Sequence, residues 1–194
     1  RALAYQLYEN NGVVKRDQVK DFLKNLAQEE RKILRNLGVK FGRYHIFLFK
    51  LFKPNAVSLR ILLWKNYHQK YFKLMPPTFG LNFTKDNQFE NKNFMLLCGF
   101  EKFNKCFVRI DILERLFIMI MNANIENKKE IKLTPEMLNL LGCNKDDFVH
   151  LIQNMNYISL KKNDEIFFKY MPKKIKRKNN FKESKKDNPF NVLN

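Results

Sequence analysis

From Ile110 to Tyr170 the chain reads IDILERLFIMIMNANIENKKEIKLTPEMLNLLGCNKDDFVHLIQNMNYISLKKNDEIFFKY. Asp111, with Glu114 three residues on, has the pattern of a helix start, and Ile110, Leu113, Leu116, Phe117, Ile120 and Met121 then recur at helical spacing. A polar linker over 127–130 leads into a short extended piece, Ile131-Lys132-Leu133, and Thr134-Pro135 places a capping hydroxyl before a proline suited to the first helical position. That second helix stops at Gly142. Asn144 then caps a third, in which Phe148, Leu151, Ile152 and Met155 share one face. Tyr157–Leu160 and Ile166–Tyr170 read as two strands about a polar turn. Helix, helix, helix and hairpin in this order predict a winged-helix unit over 110–171, with the third helix as its recognition helix.

On that expectation, Lys145, His150 and Asn154 are the groove-facing candidates on the third helix, and Lys161, Lys162 and Asn163 are phosphate contacts at the hairpin tip. Asp146 and Asp147 at the helix start oppose phosphate. The competing reading is therefore a structural or protein-docking winged-helix module with no direct nucleic-acid contact.

The composition supports a packed core: 45% of the 194 residues are hydrophobic and 14% aromatic. A net charge of +18 predicts a polyanionic partner. No apolar run is long enough to span a bilayer, so nucleic acid ranks ahead of a membrane as that partner. Lys, Asn, Ile and Phe are abundant together, as an AT-rich coding sequence would make them, and part of the charge reflects that bias. Cys98, Cys106 and Cys143 are odd in number and form no C-x-x-C pair, which predicts reduced thiols, no metal site and a cytoplasmic location.

Residues 1–11 read as the end of a helix closed by Asn10-Asn11-Gly12, and with no initiating methionine or leader the chain is expected to be the back end of something longer. Val19, Phe22, Leu23 and Leu26 form an apolar stripe that Ile33, Leu34 and Leu37 continue past a solvated patch at 28–32. Next comes LGVKFGRYHIFLFKLFKP, residues 37–54. Lys40, Arg43, Tyr44 and His45 mix cations with aromatic rings, the chemistry that grips a phosphate and stacks a base, although Tyr44 and Phe47 also suit a core. Beyond Pro54, Leu59, Leu62, Leu63 and Tyr67 predict the buried face of a further helix, with Trp64 beside it.

The expected organisation is thus mainly α with a small β component. It comprises a helical region over 1–74, a connection with short strands over 75–109, the winged helix, and a basic disordered tail over 172–194. The tail holds Lys173, Lys174, Lys176, Arg177 and Lys178 among eight basic residues, and it is expected to act as an electrostatic arm for nucleic acid, duplex or single-stranded. The final NPFNVL, residues 188–193, is a candidate protein-docking peptide that equally suits a frayed terminus.

LGVKFGRYHIFLFKLFKP, SLRILLW, PPTFGL, CGFEKFNKCFVRIDILERL and NPFNVL follow one another in an order that resembles the C-terminal region of alphaproteobacterial ATP-dependent helicases related to the mitochondrial degradosome RNA helicase. Phe49 stands where those relatives usually carry proline, and the tail is shorter and richer in lysine than theirs. The resemblance implies a motor of two RecA-like domains upstream, and with it the ATP and Mg²⁺ the motor would use. This stretch would be its nucleic-acid-binding accessory region. The stretch contains no G-x-x-x-x-G-K-[ST] loop, no paired-carboxylate motif for Mg²⁺ and no hydrolytic triad around His45, His68 or His150, so no catalytic residue and no resident cofactor are expected in it.

Overall fold

A computed structural model describes residues 1–69, 73–85, 91–126, 130–162 and 165–171. Helix α1 (Ala2–Glu9) leads into strand β1 (Val13–Lys15), a 3-10 turn, and helices α2 (Lys20–Lys24) and α3 (Gln28–Asn36). Strands β2 (Val39–Phe41) and β3 (His45–Leu48) follow, and β3 is the central strand of an antiparallel sheet in the order β1-β3-β2. Leu3 and Leu7 of α1, Val19 and Leu23 pack on this sheet against Val14, Val39 and Ile46. The neighbouring side chain Phe47 points to the opposite face of β3 and meets Val13 and Ile110.

After a second 3-10 turn, helix α4 (Pro54–Tyr67) begins with proline at its first position, where no backbone donor is lost. Strand β4 (Phe83–Lys85), helix α5 (Lys92–Leu97) and the hairpin β5 (Phe100–Phe103) and β6 (Cys106–Arg109) form a second sheet, β4-β6-β5. Its central strand is also buried on both sides. Phe107 joins Val57 and Ile61 of α4 and Phe94 of α5 in one cluster, while Cys106 and Val108 face another.

Helix α6 (Ile110–Glu126) starts directly from β6 and supplies Leu113, Leu116, Phe117 and Ile120 to the largest core. Strand β7 (Ile131–Lys132), helices α7 (Pro135–Leu141) and α8 (Lys145–Asn154), and strands β8 (Tyr157–Lys162) and β9 (Glu165–Tyr170) complete the chain. Gly142 ends α7 in the left-handed region at φ 69°, and the Asn144 side chain accepts the Asp147 N–H at 2.7 Å to start α8. Phe148, Leu151, Ile152 and Phe168 are completely shielded from solvent. Truncating any one of them to alanine is expected to cost about 2–5 kcal/mol.

This architecture corrects the expected one. The chain is not a helical region followed by a winged helix with little β structure. Among the described residues eight helices alternate with nine strands in three antiparallel sheets, and the first sheet lies inside the stretch read as helical. Strands of three or four residues are too short to show alternation, and β3, covered on both faces, reads as a continuous apolar run. A winged-helix unit is not shown either. The hairpin read as a projecting wing is two-thirds of a three-stranded sheet, β7-β9-β8, whose central strand buries Phe168 in the main core. The basic tail over 172–194 lies outside the described residues. Among the described residues no helix is long and apolar enough to cross a membrane.

Candidate nucleic-acid interface

The turn between β2 and β3, Gly42-Arg43-Tyr44, is held against α6 by one carboxylate. Glu114 accepts the backbone N–H groups of Arg43, of Tyr44 at 2.9 Å and of His45 at 2.9 Å. Gly42 is required beside it, because a Cβ there would fall 2.3 Å from the carboxyl carbon of Glu114. Arg16 clamps the turn from the other side: its guanidinium donates to the Gly42 carbonyl at 2.7 Å and its N–H to the Tyr44 carbonyl at 2.8 Å.

Behind the turn, His45 lies between two acids. Its Nε2 is 3.3 Å from Glu101 Oε2, and its Nδ1 is 3.5 Å from Glu114 Oε1 but outside hydrogen-bond geometry, so that second interaction is electrostatic rather than directional. Lys15 adds an ion pair to Glu101 at 2.9 Å. Burial works against the charged form of all three buried groups. For His45 the two carboxylates outweigh it and raise the pKa above the ordinary histidine value. For Glu101, His45 and Lys15 outweigh burial and hold the carboxyl below its ordinary range; for Glu114, His45 and the backbone N–H groups do the same. His45, flanked by two carboxylates, thus ties β1, β3, β5 and α6 together.

In front of the turn lies an open groove of about 880 Å³ between the β2–β3 turn and the first half of α6. Five cationic side chains line it: Arg16, Lys40, Arg43, Arg109 and Arg115. Its two acids are already engaged. Asp111 holds Arg109 in a two-pronged pair at 2.7 and 2.8 Å, and Glu114 is turned to the backbone amides. Among the described residues the side chains of Arg43 and Arg115 make no hydrogen bond or ion pair, and both are exposed. Between the cations stand apolar surfaces open to water: Phe49, Ile118 and Met121. The Lys40 ammonium lies 5.9 Å from the centre of the Phe49 ring.

The residues singled out in the sequence separate into groups. Lys40 and Arg43 line this groove. Tyr44 and His45, read beside them, do not reach its surface. Tyr44 is half-buried with its ring 4.2 Å from that of Phe117, and burial pushes its phenol up to about 12. His45 is 2% exposed. His150 and Asn154 line a different cleft of about 420 Å³, with Lys85 and Lys105, between α8 and the second sheet. The Asn154 amide there donates to the His150 carbonyl at 2.8 Å, and Asp147 pairs with Lys85 at 3.2 Å. Lys145 is exposed at the start of α8, and Lys161 is exposed on β8. Lys162 pairs with Glu130 at 2.6 Å. Asn163, Lys173, Lys174, Lys176, Arg177 and Lys178 lie outside the described residues. Arg16, Arg109 and Arg115 went unremarked in the sequence because no local pattern links three arginines brought together from a turn, a strand end and a helix.

Among the described residues no group of three His, Cys, Asp or Glu side chains is arranged to hold a metal ion, and Cys98 and Cys106 are separate buried thiols. Compared with family models, with curated proteins and with solved structures, the chain matches none of them.

Proposed function

We propose that this chain is a nucleic-acid-binding accessory region of an ATP-dependent RNA helicase whose motor lies upstream, in a cytoplasmic protein. The observation that carries the reading is the groove beside α6. It offers uncompensated guanidinium groups at Arg43 and Arg115, a lysine over an aromatic ring, and open apolar surface at Phe49, Ile118 and Met121. Cations meet the phosphate chain, and apolar and aromatic surfaces take unpaired bases, so the groove suits a single strand better than a duplex. The family-like runs named above coincide with its walls: LGVKFGRYHIFLFKLFKP forms the β2–β3 turn and Phe49, and CGFEKFNKCFVRIDILERL supplies Arg109, Asp111, Glu114 and Arg115. ATP and Mg²⁺ belong to the proposed motor. These residues perform no step of hydrolysis.

Fluorescence anisotropy with a labelled oligouridylate tests this. The chain should bind it, with log affinity falling linearly against log salt by roughly 0.7 for each phosphate neutralised. Arg43→Glu with Arg115→Glu should weaken binding at least tenfold and flatten that slope, with the fold intact. Salt-insensitive binding, or an unchanged affinity in the double variant, would remove the groove from the reading.

A further inference from the structure

His45 sits behind the wall of the groove that carries Arg43. Glu114 holds the β2–β3 turn between them by accepting the backbone N–H groups of Arg43, Tyr44 and His45. The same carboxylate stands 3.5 Å from Nδ1 of the His45 ring, while Glu101 stands 3.3 Å from Nε2. His45 is 2% exposed, and among the described residues its Nδ1 is a buried polar atom without a hydrogen-bond partner. Lys15, opposite His45 in the β1–β3 register, faces it through an ion pair with Glu101 at 2.9 Å. Arg16 grips the far side of the turn at the Gly42 carbonyl, and Tyr44 is a neutral phenol whose pKa burial pushes up to about 12.

Two acids on one ring make its protonation a matter of geometry. With both nitrogens protonated the ring presents an N–H toward each carboxylate; with one proton it must turn a lone pair on a carboxylate oxygen. Nε2 is the nitrogen within hydrogen-bond geometry, to Glu101, and Lys15 keeps Glu101 in place, so the proton that leaves is the one on Nδ1. The lone pair then faces Glu114, whose hydrogen bonds are those that hold the turn. We infer that the β2–β3 turn is a proton-responsive wall of the groove: protonated His45 draws Glu114 in and sets the turn, whereas neutral His45 repels Glu114 and releases the turn together with Arg43. The titrations run the same way, since against its burial His45 is raised by Glu101 and Glu114. Histidine is the side-chain type whose ordinary charge change falls between about pH 5 and 8. The other two histidines stand elsewhere, His68 at the end of α4 and His150 in the cleft beside α8. One consequence rests on the function proposed above: the groove holds a strand more tightly at acid than at alkaline pH, and by linkage the bound strand raises the proton affinity of His45.

The experiment uses the whole 194-residue chain. Carbon-detected NMR from pH 6 to 9 follows the His45 ring and, by relaxation, the backbone carbons of Gly42, Arg43 and Tyr44. The turn should be rigid below the midpoint of the ring and mobile above it. A ring that does not titrate in this range, or a turn whose relaxation ignores the titration, overturns the inference. Anisotropy with a labelled oligoadenylate, whose bases keep one charge state over the range, reads the groove. Its affinity should fall by about tenfold from pH 6 to pH 9 in the unaltered chain, and by less than twofold in His45→Gln. His68→Gln with His150→Gln should keep the full dependence. An equal pH dependence in His45→Gln also overturns the inference, and if that variant fails to fold, the relaxation data on the unaltered chain decide alone. A turn that loosens with the ring while oligoadenylate binds at neither pH supports the inference and removes only the function proposed for the groove.

Discussion

Glu114 Oε1 accepts the backbone N–H of His45 at 2.9 Å and stands 3.5 Å from the same residue's Nδ1. One carboxylate therefore holds the path of the β2–β3 turn and, with Glu101, favours the charged form of the ring behind it. Glu114→Ala would strand three backbone donors and leave the His45 ring with Glu101 alone. Loss of one partner from such a buried pair costs roughly 3–5 kcal/mol. Urea unfolding should show a loss of that order, and a smaller one for Glu114→Gln, which keeps an acceptor for the amides. Equal, sub-kilocalorie effects of both would show that the turn holds itself.

The same network sets a pH optimum. His45 has a raised pKa, so its contribution is complete below the ordinary histidine value of about 6.5 and is lost as pH rises through the folded-state value. Glu101 and Glu114 have lowered values, so theirs is complete above about 4.3 and is lost as pH falls through the folded-state values. Urea midpoints measured from pH 4 to 9 should peak between those limits. His45→Gln should flatten the alkaline limb.

Gly42→Ala is expected to destabilise although the position is a surface turn. The added methyl would enter the space of a carboxylate held by three amides, which leaves it little freedom to move. Overpacking of this kind costs about 1–3 kcal/mol. A thermal midpoint equal to that of the unaltered chain would show that Glu114 can swing aside.

Thiol reactivity should follow burial. Burial pushes the Cys98 thiol up to about 12 and is the main cause lifting Cys143 to about 11, with Asp147 adding to the latter. Thiolate is the attacking form, so both should react with a disulfide reagent at pH 8 far more slowly than a free thiol. Half-buried Cys143 should precede buried Cys98, whose modification should track global unfolding.

What could be read from the sequence was local. Asn144 before α8, Pro135 opening α7, Gly142 closing it and the long apolar helix from Ile110 all stand where spacing and caps put them. Pairing across distance was not legible. His45 finds Glu101 56 residues away, and nothing in HIFL distinguishes a histidine locked between acids from one on a surface. Glu114 followed the pattern of a capping residue but reaches instead to the β2–β3 turn, about 70 positions back. On α4 two apolar stripes competed for burial, and periodicity favoured Leu59, Leu62 and Leu63 over Val57 and Ile61, the pair that is buried. At the groove, Lys40 and Arg43 stood in a conspicuous cluster, while Arg16, Arg109 and Arg115 become neighbours only through folding.

Strands β3 and β6 each give their two faces to different interiors, Ile46 and Phe47 in one case, Phe107 and Val108 in the other. A strand of that kind is a party wall: neither room keeps its shape once the other is pulled down. Scissions that try to isolate a minimal binding fragment, whether by protease or by trimming the gene at residue 75 or 110, should yield insoluble pieces rather than miniature domains. Unfolding should be a single event in which fluorescence from Trp64 and circular dichroism change together.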